Sequence, residues 1–161
     1  MPESIDGGLA RMIANQAQTG LATGDPEADA FLRESSTAVL MGILFDQRIR
    51  AEVAFSGPYK LYRRLGHFDL ARIASMDEET FHNVFTETPA VHRFANVMSA
   101  RTQEFARWMT DEYGGDAENI WRDGADIDTI QRRLAKIKGF GPGKLKKFVP
   151  AMRLFGHPLP D

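Results

Sequence analysis

The chain has 161 residues, 26% of them charged and 43% hydrophobic, a formal net charge of −2 and no cysteine. That length suits one domain, or two small lobes about a shared cleft, with a core that holds without covalent staples. The missing thiol excludes disulfides, thiolate zinc sites, cysteine nucleophiles and a cysteine-held iron–sulfur cluster, and the small negative charge excludes a polycation that coats nucleic acid with its whole surface.

The first ten residues are acidic and lack an apolar run, which predicts a start without a signal peptide. No stretch approaches the apolar length of a membrane span, so a cytoplasmic protein with no membrane partner is expected. Leu9, Met12, Ile13 and Ala17 predict a first helix over about residues 8–16, and residues 19–24 read as a loop. Asp25-Pro26 is an N-cap followed by a first helical position, so a second helix runs from there to about Glu34. Ser35 or Ser36 caps a third, whose run Val39-Leu40-Met41-Gly42-Ile43-Leu44-Phe45 is apolar nearly all round and belongs at the centre of the core. It ends in the polar cluster Asp46-Gln47-Arg48.

A helix over residues 49–55 is predicted next, broken at Ser56-Gly57-Pro58, with Pro58 opening another through Leu65 and Gly66 stopping it. Asp69 caps a short helix to Ile73. Asp77 caps another, with Glu78 and Glu79 in the first turn, where the dipole favours them. Thr88-Pro89 interrupts the pattern before a long helix over residues 91–113, closed by Gly114-Gly115. A single turn over residues 117–121 precedes a helix that begins at Asp126 or Asp128. No stretch alternates like a strand and no solenoid period is present, so the chain reads as all-α.

The stretch from 137 to 147, Ile-Lys-Gly-Phe-Gly-Pro-Gly-Lys-Leu-Lys-Lys, joins two helical patterns. Ile127, Ile130, Leu134 and Ile137 lead in; Leu145, Phe148, Val149, Met152 and Phe155 lead out. So short a joint makes the two helices turn back on each other. Gly139, Gly141 and Gly143 accept positive φ and let a foreign backbone come close. Pro142 suits the first turn of the second helix, whose free N–H groups and dipole favour an anion. Lys138, Lys144, Lys146 and Lys147 surround it. From Thr129 to Pro160 there are eight Lys or Arg and no Asp or Glu, so the positive field is confined to one end of the chain. The plainer reading is a glycine-rich turn between packed helices. Trp108, Trp121, Phe105 and Tyr113 read as core aromatics, Arg63 and Arg64 as a charged outer face, and His82 and His92 as ordinary histidines, with proton carriage or base contact as the alternative. No His and carboxylate spacing argues for a metal catalyst.

The stretch resembles a helix-hairpin-helix motif, which grips nucleic-acid phosphate through backbone N–H groups. The ordered set is more specific. The apolar helix ending in Asp46-Gln47, the long helix with Ser99-Ala100-Arg101, then Tyr113-Gly114-Gly115-Asp116, the hairpin, and Phe155-Gly156-His157-Pro158 together resemble the helix-hairpin-helix DNA glycosylase superfamily. That group includes endonuclease III, the adenine-specific mismatch glycosylase and the alkylation-repair glycosylases. The likeness covers about residues 36–158 and is nearest to a poorly characterised bacterial branch with a Gln after the central helix and a Lys in the second hairpin helix.

The resemblance implies a two-lobed helical fold. Residues 1–35 would pack on a core of 36–130, and 131–155 would form the hairpin. It implies a monomer that binds duplex DNA carrying a damaged or mismatched base and flips that base into a cleft. Lys138, Gly139, Phe140, Gly141, Gly143, Lys144 and Lys147 would hold phosphate, and Gln47 would fill the gap left by the flipped base; an ordinary polar helix end is the alternative for Gln47. The carbonyls of Ile137 and Phe140 are where such motifs hold a monovalent Na or K ion; no other cofactor is implied. Bifunctional members carry a lysine nucleophile two residues after the second hairpin glycine, here Gly143, so no Schiff-base lyase is expected. Lys144 lies one residue further, about 100° round the helix, and is expected to face phosphate. Leu145 stands where the superfamily prefers a small Ala. The catalytic aspartate follows the pair resembling Phe155-Gly156; the carboxylate available is Asp161, two residues short of the commonest spacing, with a solvated terminus as the plainer reading. The later helices of the superfamily are not found after it. Asp46 is the second candidate acid, with a partner for Arg48 or Arg50 as its structural reading. The expected function is a monofunctional DNA glycosylase of base-excision repair, with a non-catalytic DNA-binding module and, less favoured by the charge distribution, a protein-interaction domain as rivals.

Overall fold

The computed structural model describes residues 7–160, and Asp161 lies outside the described residues. Every regular element among them is helical: α1 (Gly7–Thr19), α2 (Pro26–Glu34), α3 (Ser36–Phe45), α4 (Ala51–Leu65), α5 (Leu70–Ser75), α6 (Glu78–Thr86), α7 (Ala95–Tyr113), a 3-10 turn (Ala117–Ile120), α8 (Ile127–Leu134), α9 (Pro142–Leu145) and α10 (Phe148–Leu154). No helix among these residues is long and apolar enough to cross a membrane.

The helix starts follow side-chain chemistry. Asp25, Ser35, Asp69, Asp77, Asp116 and Asp126 each accept a hydrogen bond from a backbone N–H in the turn they open. Each such cap contributes about 1 kcal/mol by satisfying a donor that the helix leaves free. Gly66 and Gly114 end α4 and α7 in the left-handed conformation, with φ of 79° and 64°.

All ten residues of α3 are buried, so this helix is the axis on which the others lie. It packs on α2, α4, α7, α10 and the 3-10 turn. Two glycines set its distance from α4. A Cβ on Gly42 of α3 would lie 2.4 Å from the Phe55 ring, and a Cβ on Gly57 of α4 would lie 2.6 Å from the Phe45 ring. Each helix therefore seats one phenylalanine over a glycine of the other. The Thr37 hydroxyl accepts the Ala117 N–H at 2.9 Å and ties the 3-10 turn to the start of α3. On one flank α5 and α6 pack against α7; on the other, α1 and α2 cover α4, and α1 reaches α10.

Three local expectations are corrected. The break at Ser56-Gly57-Pro58 does not occur, because α4 runs straight through Pro58. The proline removes one hydrogen bond and crowds the preceding turn, but Phe55 and Gly57 are clamped to α3 on either side and carry the helix across. The long helix begins at Ala95, not near 91. His92 is the reason: its Nδ1 accepts the Phe94 N–H at 2.9 Å and its Nε2 donates to the Phe45 carbonyl at 2.8 Å, which holds the backbone in a turn. The single outgoing hairpin helix is divided into α9 and α10. Pro150 has no N–H to offer the Lys146 carbonyl, and the helix tightens there into a turn before resuming.

A buried carboxylate organises the loop between α1 and α2. Asp29 is fully buried and accepts the Ala22 and Thr23 N–H groups at 2.7 and 3.0 Å, together with the Thr23 hydroxyl. Glu52, near the start of α4, takes Arg11 of α1 in a two-pronged pair with both contacts at 2.7 Å.

Candidate nucleic-acid interface

The hairpin corner is built by two glycines with different tasks. Gly139 has φ of +97°, where an L side chain is strained, and a Cβ there would press on Leu44 at 3.2 Å and Arg101 at 3.3 Å. Gly141 has an extended backbone with φ of −78°, caps α9 and meets nothing within 4 Å where its Cβ would be. Gly139 is thus needed for the turn, and Gly141 keeps the outer face open. Among the described residues, the N–H groups of Gly139, Gly141 and Gly143 have no hydrogen-bond partner. Gly141, Pro142 and Gly143 are exposed, while Ile137 and Phe140 are buried beneath them and anchor the corner in the core. The Ile137 carbonyl accepts the Phe140 N–H at 3.0 Å, which leaves it one lone pair for an ion. Among the described residues, no group of three or more His, Asp or Glu side chains is placed to hold a metal.

The four lysines do not share one surface. Lys144 is only 8% exposed, and its Nζ donates to the Leu44 carbonyl at 2.6 Å and to Gln47 Oε1 at 3.1 Å. Lys147 donates to the Asp46 carbonyl at 3.2 Å and to its carboxylate at 2.9 Å. Both reach across roughly a hundred residues of sequence to the end of α3, which holds the Lys144 ammonium inward. The physical reason is helical spacing: 144, 147, 148 and 151 lie on one face, and Phe148 and Ala151 turn that face into the core. The last carbonyls of α3 have no partner within their helix, and the two ammonium groups supply donors there, where the dipole also favours positive charge. Lys138 reaches the other way, to Glu104 of α7 at 3.5 Å, and Lys146 is exposed.

Asp46 is paired with Lys147, which corrects the sequence reading of Arg48 or Arg50 as its partner. Gln47 is half-buried beside it, its amide oxygen held by Lys144. Burial pushes the Lys144 ammonium down to about 8, with repulsion from Arg101 and Lys147 adding and Asp46 opposing. Burial also lowers His92, against its bond to the Phe45 carbonyl, and Lys144 lowers it further. A neutral His92 with the proton on Nε2 satisfies both of its hydrogen bonds, so it is a structural histidine. His82 meets Asn96 Oδ1 at 2.6 Å. Arg64 donates to the Val84 and Pro89 carbonyls, a tie between helices. Trp121 packs on Phe148 with ring centres 5.6 Å apart, and Trp108 on Tyr113 at 5.3 Å.

A group that the sequence reading missed lies beside Asp46. A cavity of about 540 Å³ is lined by Asp46 and by Arg11, Arg48, Arg50 and Arg93. Those arginines come from α1, the loop after α3 and the turn before α7, so no local pattern announces them.

The structure therefore ties the hairpin to the end of α3 through Lys144 and Lys147, and Asp46 at that end also lines the arginine cavity. No family model, curated protein or solved structure matches the chain.

Proposed function

We propose that the protein is a helix-hairpin-helix DNA glycosylase-like protein of base-excision repair, with the two-lobed fold of that superfamily. It binds duplex DNA at the hairpin and hydrolyses the N-glycosidic bond of a flipped base without a lyase step. The observation that carries this reading is the junction of two distant segments: Lys144 and Lys147 hold the end of α3, with Asp46 and Gln47, against the inner side of the open glycine corner. A phosphate at the Gly139, Gly141 and Gly143 amides would sit beside the residues assigned to the target nucleotide. Gln47 would leave Lys144 to fill the gap in the duplex. Asp46 would stabilise the positive charge that grows on the sugar as the base leaves. Gly143 stands where a lysine nucleophile is needed, and the Lys144 amine is engaged by two acceptors, which supports a monofunctional reaction.

A non-catalytic DNA-binding module is the second reading. It is favoured by the pairing of Asp46 with Lys147 at 2.9 Å, which offsets the charge that catalysis would use.

Gly141→Val separates binding from folding, because the position has open space and a backbone that valine adopts. The variant should melt like the wild type and bind duplex DNA at least about tenfold more weakly, about 1.4 kcal/mol. Undiminished affinity in a folded variant removes the hairpin as the phosphate site. A panel of duplexes with damaged bases then decides catalysis. Abasic product lost in Asp46→Asn supports the enzyme, tight binding with no product on any lesion supports the module, and a borohydride-trapped adduct that needs Lys144 refutes the monofunctional assignment.

A further inference from the structure

The arginine cavity has the composition of an anion site. Four guanidinium groups line it, and the carboxylate they share it with, Asp46, is already held by Lys147. Glu52 draws on Arg11 at 2.7 Å and on Arg50 at 3.5 Å. Arg48 and Arg93 make no ion pair among the described residues, and both are exposed. Among the described residues, the neighbourhood thus holds five cationic side chains, counting Lys147, against two carboxylates.

The backbone adds to this field. Ala51, the first residue of the 15-residue helix α4, lines the cavity, and the Arg50 cap offers no side-chain oxygen to that helix. The N–H groups of Arg48, Ile49, Arg50 and Ala51 have no hydrogen-bond partner among the described residues. Free amides at the positive end of a long helix and guanidinium forks suit the same ligand, a tetrahedral oxyanion. Arg48 also has φ of +61°, an uncommon conformation for a residue with a side chain. Among the described residues, no cap or turn hydrogen bond from its side chain accounts for it; the conformation leaves Arg48 on the cavity wall.

We infer that this cavity is a second phosphate site, taking a backbone phosphodiester of the same nucleic acid that the hairpin grips. This inference rests on the DNA-binding reading above. The link between the two sites is Asp46, which lines the cavity and also accepts Lys147 of the hairpin. A strand lying across that wall meets amides of the glycine corner at one phosphate and guanidinium groups at another. Two anchors joined through Asp46 fix the register of the strand, which one anchor does not.

The test compares Arg48→Gln/Arg93→Gln, Arg93→Gln alone and Gly141→Val with the wild type, after each is shown by melting to be folded. Arg93→Gln guards against a folding effect at the unusual Arg48 backbone. Each lost phosphate contact should lower the slope of log affinity against log salt by about 0.9, so the double variant should fall by nearly 2 and the single by about 1, with affinity at least about tenfold lower in the double. Those changes should persist in the Gly141→Val background. Unchanged slope and affinity in a folded double variant, with Gly141→Val still impaired, overturns the cavity site and leaves the hairpin standing. If the wild type binds no duplex, both readings fail. In that case a titration with inorganic phosphate, followed by thermal shift, reports on the chemistry alone: stabilisation seen in the wild type and lost in the double variant reassigns the cavity to a free phosphate ligand and overturns the polynucleotide source.

Discussion

Gly42→Ala sets two effects against each other. In an ordinary helix interior the change stabilises by about 0.8–1.0 kcal/mol, since alanine loses less backbone entropy. In α3 the new Cβ would lie 2.4 Å from Phe55 Cδ1 and 2.9 Å from Cε1, roughly 1 Å inside ordinary contact. Phe55 has no room to yield, because its ring is fully buried and lies against Phe155 with centres 6.1 Å apart. Overpacking of this kind costs about 1–3 kcal/mol. The upper part of that range applies where the obstruction is a closed aromatic ring. The net expectation is a loss of about 2 kcal/mol, or about 4–8 °C in Tm for a chain of this size. Gly57→Ala, whose Cβ would meet the Phe45 ring at 2.6 and 2.8 Å, should shift in the same direction. The double variant should lose less than the two together, since either one already forces α3 and α4 apart. Far-UV circular dichroism melting is sufficient, with Gly143→Ala as the control because nothing stands within 4 Å of its would-be Cβ. A Gly42→Ala protein melting at or above the wild-type temperature would mean that helix propensity outweighs the clash, and the account of the α3–α4 contact would be wrong.

Two further expectations concern pH. The bond from Arg11, the largest influence, holds Glu52 at about 2, below its ordinary 4.5. Its folded value lies below its unfolded one, so the stabilisation is complete above about pH 4.5 and is lost as the pH falls toward 2. With Arg11 partly exposed, about 2 kcal/mol is expected from the pair. Glu52→Gln should lose that amount by urea unfolding at pH 7 and little at pH 2; parallel pH profiles for the two proteins would refute the pairing. Lys144 runs the other way, since its folded value of about 8 lies below the unfolded 10.5 and the charged form is the one that burial disfavours. The folded state binds fewer protons there, so stability should rise between about pH 8 and 10.5. Wild type minus Lys144→Met should therefore grow more favourable to the wild type over that window, and a difference that stays flat with pH contradicts a buried ammonium.

Much of the helical framework is legible in the sequence because it is written in local chemistry. Asp25, Asp69, Asp77 and Asp126 announce helix starts through side chains that reach only two or three residues ahead. The apolar run of α3 announces burial directly. What stays hidden depends on distant partners. Pro58 reads as a break until Phe45 and Val91 are seen crowding the neighbouring glycine. Lys144 and Lys147 read as charges surrounding the corner, and only the fold shows that they turn, with Phe148 and Ala151, toward the end of α3. Asp29 reads as one more acid in the first turn of α2, and nothing nearby says that it will be sealed over the Ala22 and Thr23 amides. Arg11 and Arg93 join Arg48 and Arg50 only when three separate segments meet.

The crossing of Lys144 and Lys147 to the end of α3 has a consequence for how the hairpin can be used. A peptide copied from α8 through α10 would carry two ammonium groups on its apolar side with their acceptors left behind. Transplanted to another scaffold it would misfold or twist to hydrate them, unless the receiving protein offered the carboxyl end of a helix at the same spot. The corner is in this sense half of a clasp, and evolution or a designer must move both halves together.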